Sequence, residues 1–338
     1  MNYWRAMDTS GLHFDFACTN NPRQDLLDEI QAAGCKYIKL PPRKKVFAYY
    51  RALRKLSSEY DIAHIHGNSS TSYIELAALS KVSKRIVHNH NSITEHPIIN
   101  AILHPFFQSS YTQAVACSAS AGEWLFGKGK FTILRNAINV DRFIPNDNVR
   151  KEYRSNFAIS DDELVVGNVG KIIKQKNHTF ILDVFYELHK QFPKSKLLLI
   201  GAGNLEPEIK SKIEVLHLKD YVIMTGLRTD IPELMSAMDV FLFPSLWEGL
   251  PLSALEAQAS GLPVFLSDII SSEVVISPNC HSLSLTQSPA DWAKYILDNT
   301  NTRNRKEDAI VNKKALTDAG YNISAEAHKL REMYFEKN

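Results

Sequence analysis

Hydrophobic and polar positions along this chain alternate between two patterns. Short apolar runs bounded by Gly, Pro, Asn or Ser read as buried parallel strands, and segments with apolar residues at helical spacing lie between them. The first half offers LHFDFACT (12–19), KYIKLP (36–41), DIAHIHG (61–67), KRIVHNH (84–90) and QAVACS (113–118) as strands, with RQDLLDEIQAAG (23–34) and SYIELAALSKV (72–82) as helices. The second half repeats the rhythm through LVVGNVG, KLLLIGAG, YVIMTG, DVFLFPS and LPVFLSD. Strand–helix alternation predicts an α/β fold with parallel, doubly wound sheets. The polar stretch FIPNDNVRKEYRSNFAISDDE (143–163) interrupts the rhythm and marks a boundary near residues 145–160. Two domains are expected, 1–148 and 149–324, followed by a terminal helix at 325–338 whose apolar positions are Ala327, Leu330, Met333 and Tyr334.

Bulk properties fit this division. A chain of 338 residues, 44% hydrophobic, can bury two cores of ordinary domain size. It contains no run of 18 apolar residues, and MNYWRAMD lacks the apolar core of a secretion signal, so a cytoplasmic location is expected. Cys18, Cys35, Cys117 and Cys280 show no metal-ligand spacing and read as small buried residues, without disulfide or zinc. The net charge of +2 conceals an asymmetry. Residues 1–150 hold 18 Lys and Arg against 12 Asp and Glu, whereas 151–338 hold 21 against 25. Much of the excess lies in Lys36, Lys39, Arg43, Lys44, Lys45, Arg51, Arg54 and Lys55, with no acidic residue between Ile30 and Ser58. Phe47, Tyr49 and Tyr50 interleave with them on the expected helix VFAYYRALRKLSSEY (46–60). Such a segment suits an anionic membrane surface or a lipid-diphosphate acceptor, or else is a solvated basic face with its aromatics in the core.

The chemistry concentrates in PSLWEGLPLSALEAQASGLPV (244–264). A strand (DVFLFPS, 239–245) runs into the turn Glu-Gly-Leu-Pro, with Pro251 suited to the first helical position and Gly261 ending the helix. The free N–H groups near Gly249 and Leu250 would then form an anion site at the carboxyl end of a strand, where open α/β sheets bind ligands. Glu248 and Glu256 flank that site. Carboxylates beside a phosphate are explained by hydroxyl groups, and a nucleotide sugar supplies both. VGNVGKIIKQKNH (166–178) ends a strand at Gly170 and follows it with Lys171 and Lys176, two cations able to neutralise a diphosphate. In GLRTDIPELMSAMDV (226–240) Asp230 is placed to cap a helix and Arg228 to reach phosphates or only solvent. Gly201-Ala-Gly203 lacks the third glycine and the acidic residue of a dinucleotide fingerprint. His64 with His66, and His88 with His90, form His-x-His pairs of the kind that bind metals. Their placement on different strands, without an evident carboxylate partner, argues against an ion.

These motifs resemble the Glu-x7-Glu signature of retaining glycosyltransferases of the GT-B fold, with both glutamates at the family spacing and EGLP and GLPV intact. QKNH, GLRTDIPELM and PSLWEGLPLSALEAQASGLP are similar to the EpsF-like branch of family 4, used in exopolysaccharide and capsule assembly. The resemblance implies two Rossmann-like domains facing across a cleft, with the helix 325–338 packing back on the first. It implies transfer of a sugar from a nucleotide donor, a UDP-sugar, to a lipid-linked saccharide with retention of configuration. Glu256 would hold ribose hydroxyls and Glu248 the donor sugar. Lys176, Lys171 and the helix start (Gly249, Leu250, Pro251, Leu252) would hold the diphosphate, with Gly170, Arg228 and Ser245 completing the donor site. His90 would line the acceptor side of the transferred sugar, with His66 and Asn91 as secondary candidates. No metal, no cofactor and no nucleic-acid partner are expected, and the enzyme would sit peripherally on the inner face of the plasma membrane. Two departures stand out. Lys171 replaces the family's usual arginine, exchanging a planar fork for a point charge. MNYWRAMD already looks like the first helix, so the apolar strand and glycine-rich loop that ordinarily open such a chain, about 20 residues, are missing, and that strand would be central in a 3-2-1-4-5-6 sheet. A non-catalytic sugar-nucleotide-binding protein therefore stays open beside the enzyme, whereas a GT-B epimerase or phosphorylase lacks its expected acid/base carboxylates or pyridoxal lysine.

Overall fold

A computed structural model describes residues 2–300 and 304–336. The chain forms two compact units, one running to Arg135 and resuming from Glu326, the other spanning Asn136–Ala325.

In the first unit β1 (Phe16–Cys18) pairs in parallel with β2 (Tyr37–Lys39), and β3 (Ile62–Gly67), β4 (Lys84–Asn89), β5 (Gln113–Ala116) and β6 (Thr132–Ile133) make a separate parallel sheet in that order. Around them lie α1 (Asn2–Ala6), α2 (Gln24–Ala32), α3 (Val46–Leu56), α4 (Tyr73–Ala78), α5 (Pro97–Gln108) and α6 (Ala119–Phe126). Successive side chains of a strand face opposite ways. Ile86 and Val115 accordingly enter one core with Met7 and Leu134, while Val87, Ala114 and Ala116 enter another with Phe107 and Phe126. A cavity of about 810 Å³ is lined by Ala17 and Cys18 of β1, Ile38 of β2 and Ile62 to Gly67 of β3.

The second unit holds one parallel sheet in the order β12-β11-β10-β7-β8-β9, comprising β7 (Leu164–Val169), β8 (Ser195–Ile200), β9 (Val222–Met224), β10 (Val240–Phe243), β11 (Val264–Ser267) and β12 (Cys280–Leu283). Its helices are α7 (Asp147–Asn156), α8 (His178–Gln191), α9 (Glu206–Val215), α10 (Ile231–Ala237), α11 (Leu252–Ala259), α12 (Pro289–Asn299) and α13 (Arg305–Asp318), and α14 (Ile323–Phe335) begins here. Both faces of the sheet are covered. Val165, Leu198 and Phe241 pack on one side with Leu255, and Val166, Leu197 and Leu242 on the other with Phe185 and Trp292. Apolar runs without polar alternation are what such a doubly covered sheet requires.

Several expectations are corrected. The stretch 143–163 is not an open connector: α7 lies within it, and its Arg150 and Arg154 bond Asp239, the residue before β10, at 2.6 and 3.1 Å. Arg154 is buried and also donates to the Ser160 and Glu163 carbonyls, which fastens the segment into the second unit. The division falls at Arg135–Asn136 instead of after residue 148. Helix 46–60 stops at Leu56, and α5, α6, β6 and β12 are additions to the sequence reading. The interleaved aromatics split, with Tyr49 buried against Leu53 and Phe47 92% exposed.

The strand ends are packed backbone to backbone. Gly201 has φ +137°, and a Cβ there would lie 2.0 Å from the Gly170 carbonyl oxygen; a Cβ on Gly203 would lie 2.1 Å from that of Ile172. Gly201-Ala-Gly203 is thus a close-packing device. Gly201→Ala should destabilise the protein by about 1–3 kcal/mol, as for other strained backbone positions, whereas Gly249→Ala, whose Cβ would meet nothing within 4 Å, should leave the urea midpoint within error. Equal midpoints for parent and Gly201→Ala would show that this contact relaxes freely.

Candidate donor and acceptor sites

The strand order of the second unit reverses between β7 and β10, which are paired through Val240 with Val166 and Phe241 with Gly167. Loops leaving two such strands diverge and open a crevice at their carboxyl ends. Beyond β7, Gly170 bonds across to the Ile200 carbonyl at 2.9 Å, and Ile172 to that of Ala202 at 3.1 Å. The chain then makes a 3-10 turn at Lys174–Lys176 and passes through Asn177 in the left-handed conformation into α8. Asn tolerates that conformation better than most residues.

This turn is stitched to the loop after β10. Leu246 N–H donates to the Gln175 carbonyl at 2.8 Å, Gln175 Nε2 to the Trp247 carbonyl at 2.9 Å, and Asn177 Nδ2 to the Pro244 carbonyl at 3.1 Å. At the junction Lys176 Nζ donates to Glu248 Oε1 at 2.7 Å, with the two side chains only 15% and 7% exposed. The ammonium also lies 4.5 Å from the ring centre of Phe243, a cation–π contact. Gly170 admits the lysine stem, since a Cβ there would sit 3.2–3.4 Å from three of its carbons. His178, beside it at the start of α8, is kept neutral by burial and by Lys176, with its pKa lowered to about 4.

Helix α11 starts at Leu252 with Pro251 as its N-cap, one residue outside the expected first helical position. No side chain caps it, and Gly249 leaves its approach open. Glu256 lies one turn into the helix, and among the described residues its carboxylate has no hydrogen-bond or ion-pair partner. Burial raises its pKa to about 7, against the weaker opposing charge of Arg142. An unpartnered, desolvated carboxyl group beside free helix N–H groups suits hydroxyl groups attached to an anion. Ser245 is fully buried between strand and turn with its hydroxyl unpartnered, and its carbonyl accepts from Ser267 Oγ.

The remaining donor-site candidates divide. Lys171 is exposed; its carbonyl accepts from Ile173 N–H at 2.9 Å, but among the described residues its ammonium has no hydrogen-bond or ion-pair partner. Arg228 is held by Asp230, Nε to Oδ1 at 2.8 Å and Nη2 to Oδ2 at 2.5 Å. Asp230 sits at the N-cap of α10 but does not cap it, because its oxygens are taken by Arg228 and by Tyr153 O–H at 2.8 Å. These bonds, Arg228 first, lower its pKa to about 2. Sequence reasoning missed Gln175, Asn177 and Arg142. Only Asn177 had a legible signal, as an Asn immediately before a helix.

The acceptor-side candidates belong to the first unit. β3 and β4 are neighbours, with His64 opposite Ile86 and His66 opposite His88, so the two His-x-His pairs share one patch. The different strands counted above against an ion are adjacent ones, so they do not separate the two pairs. His66 Nδ1 lies 2.9 Å from His90 Nε2 and His64 Nε2 lies 3.3 Å from His88 Nδ1. Burial lowers the pKa of all four rings, to about 2 for His88 and about 4 for His66, so they are neutral at physiological pH. Asn91 follows the strand and is exposed, its carbonyl accepting from Asn89 Nδ2 at 2.7 Å.

Comparison with known proteins gives a consistent set of relatives. Residues 149–315 match the family described as "Glycosyl transferases group 1". The chain is 30% identical over 352 residues to EpsF of Bacillus subtilis (strain 168), named as a glycosyltransferase, covering 99% of this chain and 91% of that one. It is 24% identical over 340 residues to the Escherichia coli UDP-Gal:alpha-D-GlcNAc-diphosphoundecaprenol alpha-1,3-galactosyltransferase, covering 94% and 87%. Among solved structures, Anabaena Alr3699/HepE in complex with UDP superposes with a TM-score of 0.76 at 15% identity, covering 95% of this chain and 91% of that one.

The raised pKa of Glu256 has a measurable sign. The folded state holds this proton more tightly than the unfolded chain, so the carboxyl group costs nothing below its ordinary value near 4.5 and destabilises the fold as pH rises toward and past 7. Glu256→Gln, which cannot ionise, should match the parent near pH 4 and become the more stable of the two by pH 8, by on the order of 3 kcal/mol at most. A stability difference independent of pH in urea titrations would mean that Glu256 ionises normally.

Proposed function

Because this chain belongs to the group 1 glycosyl transferases and has the GT-B fold, we propose that it transfers a sugar from a UDP-sugar to a hydroxyl of a lipid-linked saccharide, with retention of configuration, in exopolysaccharide or capsule assembly. The observation that carries this reading is the Lys176–Glu248 pair beside the uncapped start of α11, with Glu256 unpartnered one turn along. HepE is named as a complex with UDP, and the galactosyltransferase is named for a UDP-sugar and a diphosphoundecaprenol-linked acceptor. Similarity to both supports the choice of donor and acceptor.

In this mechanism the diphosphate lies against the start of α11 and takes Lys176 as its principal cation, with Lys171 free to swing toward it. Lys176 and the helix N–H groups stabilise charge as it develops on the departing diphosphate. The acceptor's proton passes to a phosphate oxygen on the same face. Glu248 orients the lysine and accepts hydroxyls of the transferred sugar, and Glu256 accepts those of the ribose. His90, with His66 and Asn91 as supports, lines the acceptor side as a neutral donor or acceptor of hydrogen bonds. Arg228 serves the donor loop through its pairing with Asp230.

Lys176→Ala should lower kcat about a hundredfold or more, as for the loss of one oxyanion donor. Glu256→Gln should chiefly weaken binding of UDP and of the intact donor, while Glu248→Gln should chiefly lower turnover, because contacts near the reacting carbon strengthen only in the transition state. A fully active Lys176→Ala, or equal loss of UDP affinity in both glutamate variants, would overturn these assignments.

We also place the first unit on an anionic membrane. Arg43 is committed to the fold, bonding Glu75 at 2.9 Å and the Thr71 carbonyl at 2.7 Å, but Lys44, Lys45 and Phe47 are exposed. Ser70 N–H, in the turn that adjoins Thr71, donates to Asn100 of α5 at 2.7 Å, and α5 shows Ile98, Ile99, Ile102 and Phe106 to solvent. No described helix is long and apolar enough to cross a membrane. Cations beside exposed apolar side chains give interfacial binding, about 1 kcal/mol for each lysine near the surface. Co-sedimentation with vesicles rich in anionic lipid should fall with salt, and should fall in Lys44→Gln/Lys45→Gln and in Ile98→Ser/Ile102→Ser. Equal co-sedimentation of parent and both variants would reduce the patch to a solvated face.

A further inference from the structure

The structure assigns a second chemistry to the first unit: we propose that His64, His66 and His88 form a three-nitrogen binding site for a divalent transition-metal cation, zinc above all. The three residues can each present a ring nitrogen so that all lie within 4.8 Å of one another. They come from β3 and β4, whose parallel register sets His66 directly opposite His88, so backbone hydrogen bonding fixes two of the three ligands. The tightest pair is already at ligand spacing. His64 Nε2 and His88 Nδ1 are 3.3 Å apart, and two nitrogens about 2.05 Å from a tetrahedral zinc are separated by about 3.3 Å. The ring of His66 stacks on that of His64 with centroids 4.7 Å apart. His66 is exposed at the strand end while its ring is flanked by those of His88 and His90, so a small ring movement closes the third bond and leaves the fourth position for water or a ligand oxygen.

The surroundings fit ligation. Metal-bound imidazoles usually donate their other N–H to a fixed partner, which orients the ring. His64 Nδ1 has such a partner in Tyr334 O–H at 2.7 Å, and His66 Nδ1 has His90 Nε2 at 2.9 Å. His88 Nε2, by contrast, is buried with no hydrogen-bond partner. Burying a polar group without a partner is costly, and a metal at Nδ1 leaves that cost in place, so the orientation of His88 rests on the register of β3 and β4 and not on an outer partner. Imidazole ligands without thiolate or carboxylate favour zinc, copper, nickel or cobalt over magnesium or calcium.

Metal-free protein should take up one equivalent of Zn2+ in isothermal titration, and Co2+ in its place should give the visible ligand-field bands of a tetrahedral site. His66→Gln, at an exposed strand end where folding is not at risk, should abolish stoichiometric uptake. Tyr334→Phe should weaken it about tenfold, as for loss of an outer-shell partner. His13→Gln and His328→Gln, exposed histidines elsewhere, should bind like the parent. Absence of stoichiometric binding by the parent, or equal uptake by parent and His66→Gln, would overturn the assignment and leave the rings as a purely hydrogen-bonded stack.

Discussion

The pairing of β7 with β10 is the constraint from which the donor site follows. These two strands are buried on both faces and joined in parallel, so their carboxyl ends emerge side by side at the point where the strand order turns. The 174–177 turn and the 244–248 loop have no choice but to meet there, and three backbone-accepting hydrogen bonds lock them together. Only then can Lys176 and Glu248 lie 2.7 Å apart with little exposure. A pair so shielded gains little net stability, because desolvation offsets the attraction. What it provides is orientation, in that the lysine is held at one place before any anion arrives.

Much of this was legible. The βα rhythm, the doubly covered second sheet and the Glu248–Glu256 spacing around a helix start were all readable from apolar runs and turn residues, because parallel strands and helix ends have local chemical signatures. What escaped reading depended on distant partners. Pro251 looks like a first helical residue but takes the cap position, and Asp230 looks like a cap but is claimed by Arg228 and Tyr153. The segment 143–163 looks polar because its arginines are counted as solvated, whereas Arg154 is buried against Asp239. α5 was missed for a related reason: PIINAILHPFFQ carries a proline inside and an apolar outer side, the reverse of a helix facing water.

The two units carry opposite electrostatic styles. In the second, a cation, an ion-paired carboxylate and a protonatable carboxyl group surround a helix start, an arrangement suited to charge that appears during a reaction. In the first, the conspicuous polar groups are neutral rings packed along and across two adjacent strands. Such rings offer hydrogen bonds without adding charge, and so, with no metal bound, can stand near a polyhydroxylated or anionic ligand without repelling it or binding it too firmly.

The return of the chain to the first unit has a consequence for how the protein is made. Ala327, Leu330, Met333 and Tyr334 complete a core whose other members include Met7, Ile86 and Val115, and buried Lys84 Nζ finds its acceptors in the carbonyls of Met333 and Tyr334. A chain emerging from the ribosome therefore holds one face of its first unit open, with an ammonium group unmet, throughout synthesis of the second. The second unit, whose strands are contiguous in sequence, can close first. Met7 and its core neighbours are therefore sealed only after the segment from Ala327 to Tyr334 has been made.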